Sequence, residues 1–158
     1  MKLTKKERVQ NLEDEAAIRN LVARFADACI VADYDAFKSL WAANSKWTIH
    51  EPFLTSAEGI QNIDAMVRNL RKGREFFVQF THSGVIKLKG EKATARWVMH
   101  EVSKGPDDKY YNNYAIYTDV IKKIKGQWRF VQRDYHYMWV DTGAFPGNVF
   151  ALPDGMQK

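Results

Sequence analysis

Residues 78–88 read V-Q-F-T-H-S-G-V-I-K-L. Val78, Phe80, His82, Ile86 and Leu88 share one parity, and Gln79, Thr81, Ser83 and Lys87 share the other. This is the period-two pattern of a strand with one buried face, and it predicts His82 on that face. An imidazole there needs a hydrogen-bond partner, because an unpaired polar group in apolar surroundings costs about 1–3 kcal/mol.

Toward the C-terminus the period stays at two. Strands are predicted at about 77–89, 93–104, 109–123 and 127–140, joined by K-G-E-K at 89–92, K-G-P-D-D at 104–108 and K-G-Q at 125–127, which makes an antiparallel meander. Toward the N-terminus the period is helical. Ile18, Leu21, Val22, Phe25, Cys29 and Ala32 mark an amphipathic helix over about 12–32, with residues 1–10 fraying or capping it. Asp33 is a candidate N-cap for a short helix carrying Phe37, Leu40 and Trp41. W-T-I-H-E at 47–51 alternates as a strand stopped by Pro52; Thr55 or Ser56 then opens a helix through Ile60, Ile63, Met66, Val67 and Leu70, ending near Gly73. Helices first and a sheet afterwards predict an α+β domain with the helices on one face of a curved, mainly antiparallel sheet. A single domain spanning 1–158 is expected, with its core at 12–140 and an irregular tail at 141–158 rich in Gly and Pro. Phe145, Val149, Phe150 and Leu152 in the tail suit packing on the domain or on a second subunit.

With 158 residues, 46% hydrophobic and 13% aromatic, the chain can bury a sizeable core. No apolar run reaches the roughly 18 residues of a membrane span, the first residues lack a secretory pattern, and the lone Cys29 cannot form an internal disulfide, so a cytoplasmic location is expected. The net charge of +5 and pI near 9.3 invite a nucleic-acid reading. The basic groups (Lys2, Lys5, Lys6 and Arg8; Arg68, Arg71, Lys72 and Arg74; Lys122, Lys123 and Lys125) nevertheless carry no binding signature, and solvated faces explain them.

Several strings together resemble the SnoaL-like branch of the nuclear-transport-factor-two-like superfamily. They are A-I-R-N-L at 17–21 with Phe25, D-Y-D-A-F at 33–37, W-T-I at 47–49, T-H at 81–82, A-T-A-R-W at 93–97, Y-T-D at 117–119 and G-Q-W at 126–128. The resemblance implies a cone-shaped α+β barrel whose helices and concave sheet face enclose an apolar pocket, and a homodimer. Enzymes of that branch, dehydratases and a dehydrochlorinase, are lyases that eliminate water or HCl from cyclic substrates without metal or cofactor. They pair a His on the sheet with an Asp late in the first helix. The His position matches His82; the Asp position, three residues before Asp33, holds Ile30.

His82 is therefore the candidate general base, since imidazole is largely neutral near pH 7. Glu101 shares strand parity with Ala93, Ala95, Trp97 and Met99 and is the candidate acid, with Tyr114 as an alternative group to polarise the substrate. Phe25, Ile30, Trp41, Trp47, Phe80, Trp97, Met99 and His136 are candidate walls, although core packing alone accounts for most of them. Asp27 lies opposite the apolar stripe of the first helix and reads as surface, as do His50 and His100; Asp134 stands where the parity of the last strand changes. No metal-ligand spacing, phosphate loop or nucleophile motif is present, so the expected partner is a small, apolar, cyclic molecule and the expected cofactor is none. The leading reading is a cofactor-independent lyase or isomerase. The alternatives are a binding protein with the same pocket and a dimeric adaptor.

Overall fold

The structure is a computed structural model that describes residues 3–145 and 147–156; Lys2 of the first basic group and Pro146 of the tail lie outside them. Helix α1 (Lys5–Val31) starts earlier than its apolar stripe because Thr4 and Glu7 form a capping box. The Glu7 N–H donates to the Thr4 hydroxyl at 3.2 Å, and the Thr4 N–H donates to the Glu7 carboxylate at 2.7 Å. Asp33 caps α2 (Tyr34–Ser39) by accepting from the Ala36 N–H at 2.9 Å. Trp41, predicted on that helix, opens strand β1 (Trp41–Ile49) instead.

The predicted helix start at Thr55 or Ser56 is a short strand, β2 (Thr55–Glu58). It pairs antiparallel with β1, and the Thr48 and Ser56 hydroxyls bond across the pair at 3.2 Å. Gly59, at φ 81°, then turns the chain into α3 (Ile60–Arg71), a change of direction open to glycine without strain. The meander follows as β3 (Phe76–Lys89), β4 (Lys92–Lys104), β5 (Tyr110–Ile124) and β6 (Gln127–Asp141). The sheet order is β2-β1-β6-β5-β4-β3; only β1 and β6 run parallel, and the sheet curves around the helices without closing. Among the described residues no helix is long and apolar enough to cross a membrane.

One irregularity decides which side of β3 looks inward. Thr81 pairs with Met99 and Gly84 with Trp97, so β3 takes three steps where β4 takes two. Before this bulge Gln79 is buried and Phe80 exposed, within it His82 is exposed, and after it Ile86 and Leu88 pack on the core. Uninterrupted alternation through residues 78–88 does not occur, and the buried placement of His82 is corrected accordingly. The Trp97 indole lies across Gly84 so closely that a Cβ there would come within 1.9 Å of the ring, which explains the glycine.

Between sheet and helices Phe25, Phe37, Trp41, Trp47 and Phe130 form a continuous aromatic cluster. Within it Arg133 is fully buried, its Nε 3.1 Å from Asp119 Oδ1 and its guanidinium 3.8 Å from the Tyr117 ring centre, 4.1 Å from that of Phe25 and 4.3 Å from that of Phe130. Burial pushes the Asp119 carboxyl up to about 6 against the pull of Arg133, so near neutral pH it is ionised and compensates the guanidinium. Breaking one side of such a pair strands a buried charge. Asp119→Ala is expected to lower unfolding free energy by about 3–5 kcal/mol in urea titration, and Asp119→Leu combined with Arg133→Met to lose far less. Equal losses in the two variants would show that the charge pairing is not what matters.

Candidate functional site

The helices and the concave sheet face leave a cavity of about 70 Å³. Phe25 and Cys29 reach it from α1, Trp47 and Ile49 from β1, and Val67, Leu70 and Arg71 from α3. Arg74 enters from the α3–β3 turn, Phe77 and Gln79 from β3, Glu101 from β4, Tyr117 from β5, and Tyr135 and Tyr137 from β6.

Its polar floor, Gln79 and Glu101, belongs to a row of register partners across three strands that Asn113 continues on β5. The Gln79 Nε2 donates to Glu101 Oε2 at 2.8 Å, and the Asn113 Nδ2 donates to the Tyr135 hydroxyl at 2.5 Å. Burial raises the Glu101 pKa, with the Gln79 hydrogen bond and the charges of Arg74 and Arg71 pulling the other way. Burial likewise pushes the Tyr117, Tyr135 and Tyr137 phenols up, so they stay protonated at neutral pH. Arg74 donates to the Leu70 carbonyl and the Ser103 hydroxyl, while Arg71 lies 4.5 Å over the Phe77 ring centre. A carboxyl of raised pKa beside neutral phenols and two guanidinium groups can move a proton and stabilise negative charge. Among the described residues no group of three His, Cys, Asp or Glu could hold a metal ion.

The family description of the SnoaL-like domain matches residues 10–134. The chain belongs to the SnoaL-like domain family. Solved structures agree in fold. A type-3 hexachlorocyclohexane dehydrochlorinase from Novosphingobium barchaimii LL02 superimposes with a TM-score of 0.79 at 15% identity, covering 92% of this chain and 99% of its own. A candidate scytalone dehydratase from Novosphingobium aromaticivorans DSM 12444 gives 0.77 at 16%, covering 92% and 95%. A nuclear-transport-factor-two-like protein with a cystatin-like fold, from the same species, gives 0.72 at 21%, covering 84% and 87%. No curated protein matches the sequence.

Of the residues singled out from sequence, this SnoaL-like domain brings Glu101, Phe25 and Trp47 to the cavity. Trp41, Trp97 and Met99 are buried in the core but do not line it. Ile30, half-buried near the end of α1, contributes its carbonyl to Arg71 Nη2 at 3.4 Å, and its side chain does not line the cavity. His82, Phe80 and Tyr114 lie on the convex face, where Phe80 is 47% and Tyr114 42% exposed. There Phe80, His82, His100 and Tyr114 form a stacked ladder, with His100 and Tyr114 ring centres 4.5 Å apart. His136 is carried outward between the inward Tyr135 and Tyr137 and stacks on His50 at 4.2 Å, whose Nε2 bonds Asp134 Oδ1 at 3.0 Å. Thus no histidine lines the cavity, and the bulge in β3 is the reason for His82.

Arg71 and Arg74, expected on a solvated face, line the cavity, as do Gln79, Tyr135 and Tyr137, which the sequence does not single out for the site. A signal for Arg71 existed, since it follows Val67 by one helical turn on the apolar stripe of α3. Gln79 had none, because its inward turn depends on the bulge.

Cys29 also faces the cavity, but burial, aided by the charge of Glu101, pushes its thiol up to about 12. It should resist alkylation by iodoacetamide at pH 8 in the native protein and react once unfolded. Fast modification of native protein would mean that the thiolate is accessible and the cavity polar and open.

Proposed function

We propose that this SnoaL-like domain is a cofactor-independent lyase or isomerase for a small, largely apolar molecule, with Glu101 as the proton-transferring group. The observation that carries this reading is the placement of Glu101 as the one carboxyl among the cavity walls, with its pKa raised by burial. Raising a carboxyl pKa toward the operating pH suits it to take a proton from carbon and return it to a leaving group. Gln79 orients the carboxylate and the aromatic walls limit water. Structural neighbours named as a dehydrochlorinase and a candidate dehydratase support an elimination. The enclosed volume of about 70 Å³ is under half the roughly 150 Å³ that admits benzene, so a cyclic substrate enters only if the walls shift.

A thermal-shift screen of small cyclic and acyclic alcohols and halides, followed by product analysis of those that bind, tests the reading. As a base Glu101 acts ionised, so turnover should rise with pH through a pKa above the ordinary 4.5. Glu101→Gln should lose about 100-fold or more of turnover while ligands still bind. Ligands that bind tightly and yield no product would favour a binding protein, a reading supported by the Gln79 hydrogen bond to one Glu101 oxygen.

The expected homodimer is placed by the same reading on the convex face. Tyr117, Tyr135 and Tyr137 line the cavity, so the outward aromatic surface comes from other residues. Phe80, His100, Tyr114 and Trp139 are successive register partners on four adjacent strands, and Trp139 is 47% exposed. Such a continuous aromatic row suits a self-complementary contact. Sedimentation equilibrium should give twice 18.3 kDa for the wild type and a monomer for Trp139→Asp; a wild-type monomer at micromolar concentration would end this assignment.

A further inference from the structure

The cavity is not uniformly apolar. Among its walls stand two guanidinium groups, Arg71 and Arg74, against one carboxyl, Glu101. The thiol and the three phenols are neutral at physiological pH, so the lining carries a net positive charge whether or not Glu101 is ionised. None of the ion pairs among the described residues includes Arg71 or Arg74.

The two arginines differ in what they still lack. Arg74 is engaged by the Leu70 carbonyl, the Ser103 hydroxyl and the Tyr111 ring 5.2 Å away. Arg71 has one hydrogen bond, from Nη2 to the Ile30 carbonyl at 3.4 Å, and the Phe77 ring 4.5 Å away, while its Nε and Nη1 are buried without a hydrogen-bond partner. Burial accordingly holds its pKa below the ordinary value. A guanidinium cannot shed its proton under physiological conditions, so an unpaired one in a cavity is resolved by an incoming anion. Either edge of the guanidinium fork offers Nη2 together with one of the two unpartnered nitrogens, and two parallel N–H donors match the two oxygens of a carboxylate. Around this cation Phe25, Ile49, Val67 and Leu70 offer apolar contact.

We propose that the ligand of this cavity is a small organic acid with an apolar body, its carboxylate held by Arg71. This rests on the reading of the cavity as the ligand site and adds the chemical class of what enters it. The cavity volume favours short acids over large ring systems.

The test compares acids with their primary amides, which keep the skeleton and remove the charge. Calorimetry with crotonate, cyclohexanecarboxylate and benzoate against crotonamide, cyclohexanecarboxamide and benzamide should give at least one acid bound about tenfold or more tighter than its amide. That preference should collapse in Arg71→Met and survive in part in Arg71→Lys. Acid binding should also weaken with added salt while amide binding does not, a wild-type measurement that stands even if Arg71→Met fails to fold. Amides binding as tightly as acids would overturn the carboxylate assignment while leaving the cavity as the ligand site. An acid preference unchanged in Arg71→Met would overturn the role of Arg71. Failure of every acid and amide to bind would overturn both the assignment and the ligand-site reading.

Discussion

The structure turns on a charged group where none would be placed by hydrophobicity alone. Arg133 sits in the middle of the molecule, compensated by Asp119 on the neighbouring strand and enclosed by Phe25, Tyr117 and Phe130. The rings donate the negative faces of their π systems to the cation, which offsets part of its lost hydration. This arrangement joins α1, β5 and β6 at one point, since each contributes a ring or a charge. Phe25 and Tyr117 face the cavity as well as the guanidinium, so the charged centre of the core also fixes the back wall of the site.

From that wall the cavity is assembled by register. β4 carries a run of small and aromatic residues on its inner face, Ala93, Ala95, Trp97 and Met99, and continuing the alternation brings Glu101 inward to the cavity. Gln79 on one side and Asn113 on the other lie in the same row and hydrogen-bond Glu101 and Tyr135 respectively. The last turn of α3 and the segment after it add Arg71 and Arg74. A single acid is thereby placed among aromatic walls with cations nearby, an arrangement suited to proton transfer on a small molecule. The histidines lie elsewhere, in stacked pairs and ladders on the convex face.

The two faces of the sheet differ in what they present. The concave face is enclosed by helices and holds the cavity, whereas the convex face is open and its aromatic row runs across four strands. Family membership fixes the frame on which both faces are built, but relatives at 15–21% identity share only that frame, so activity has to be argued from these side chains.

Much of the frame was legible in the chain itself. The helical stripe of α1, the Asp33 cap and the four long meander strands follow from periodicity and turn residues that act over a few positions. Glu101 was legible for the same reason, since regular alternation along β4 carries it inward from Ala93 without interruption. β2 was read as a helix start because four residues cannot declare a period; pairing with β1 makes them a strand. Arg71 had the right helical spacing, but only packing reveals that the cation turns inward and leaves two of its nitrogens without a hydrogen-bond partner. His82 depended on tertiary structure altogether. The large Trp97 ring needs space, Gly84 provides it, and the extra residue of the adjacent bulge exchanges the two faces of β3. Local pattern therefore determined the main helices, the four meander strands and the inward parity of Glu101, while the bulge in β3 decided that Gln79, rather than His82, faces the cavity.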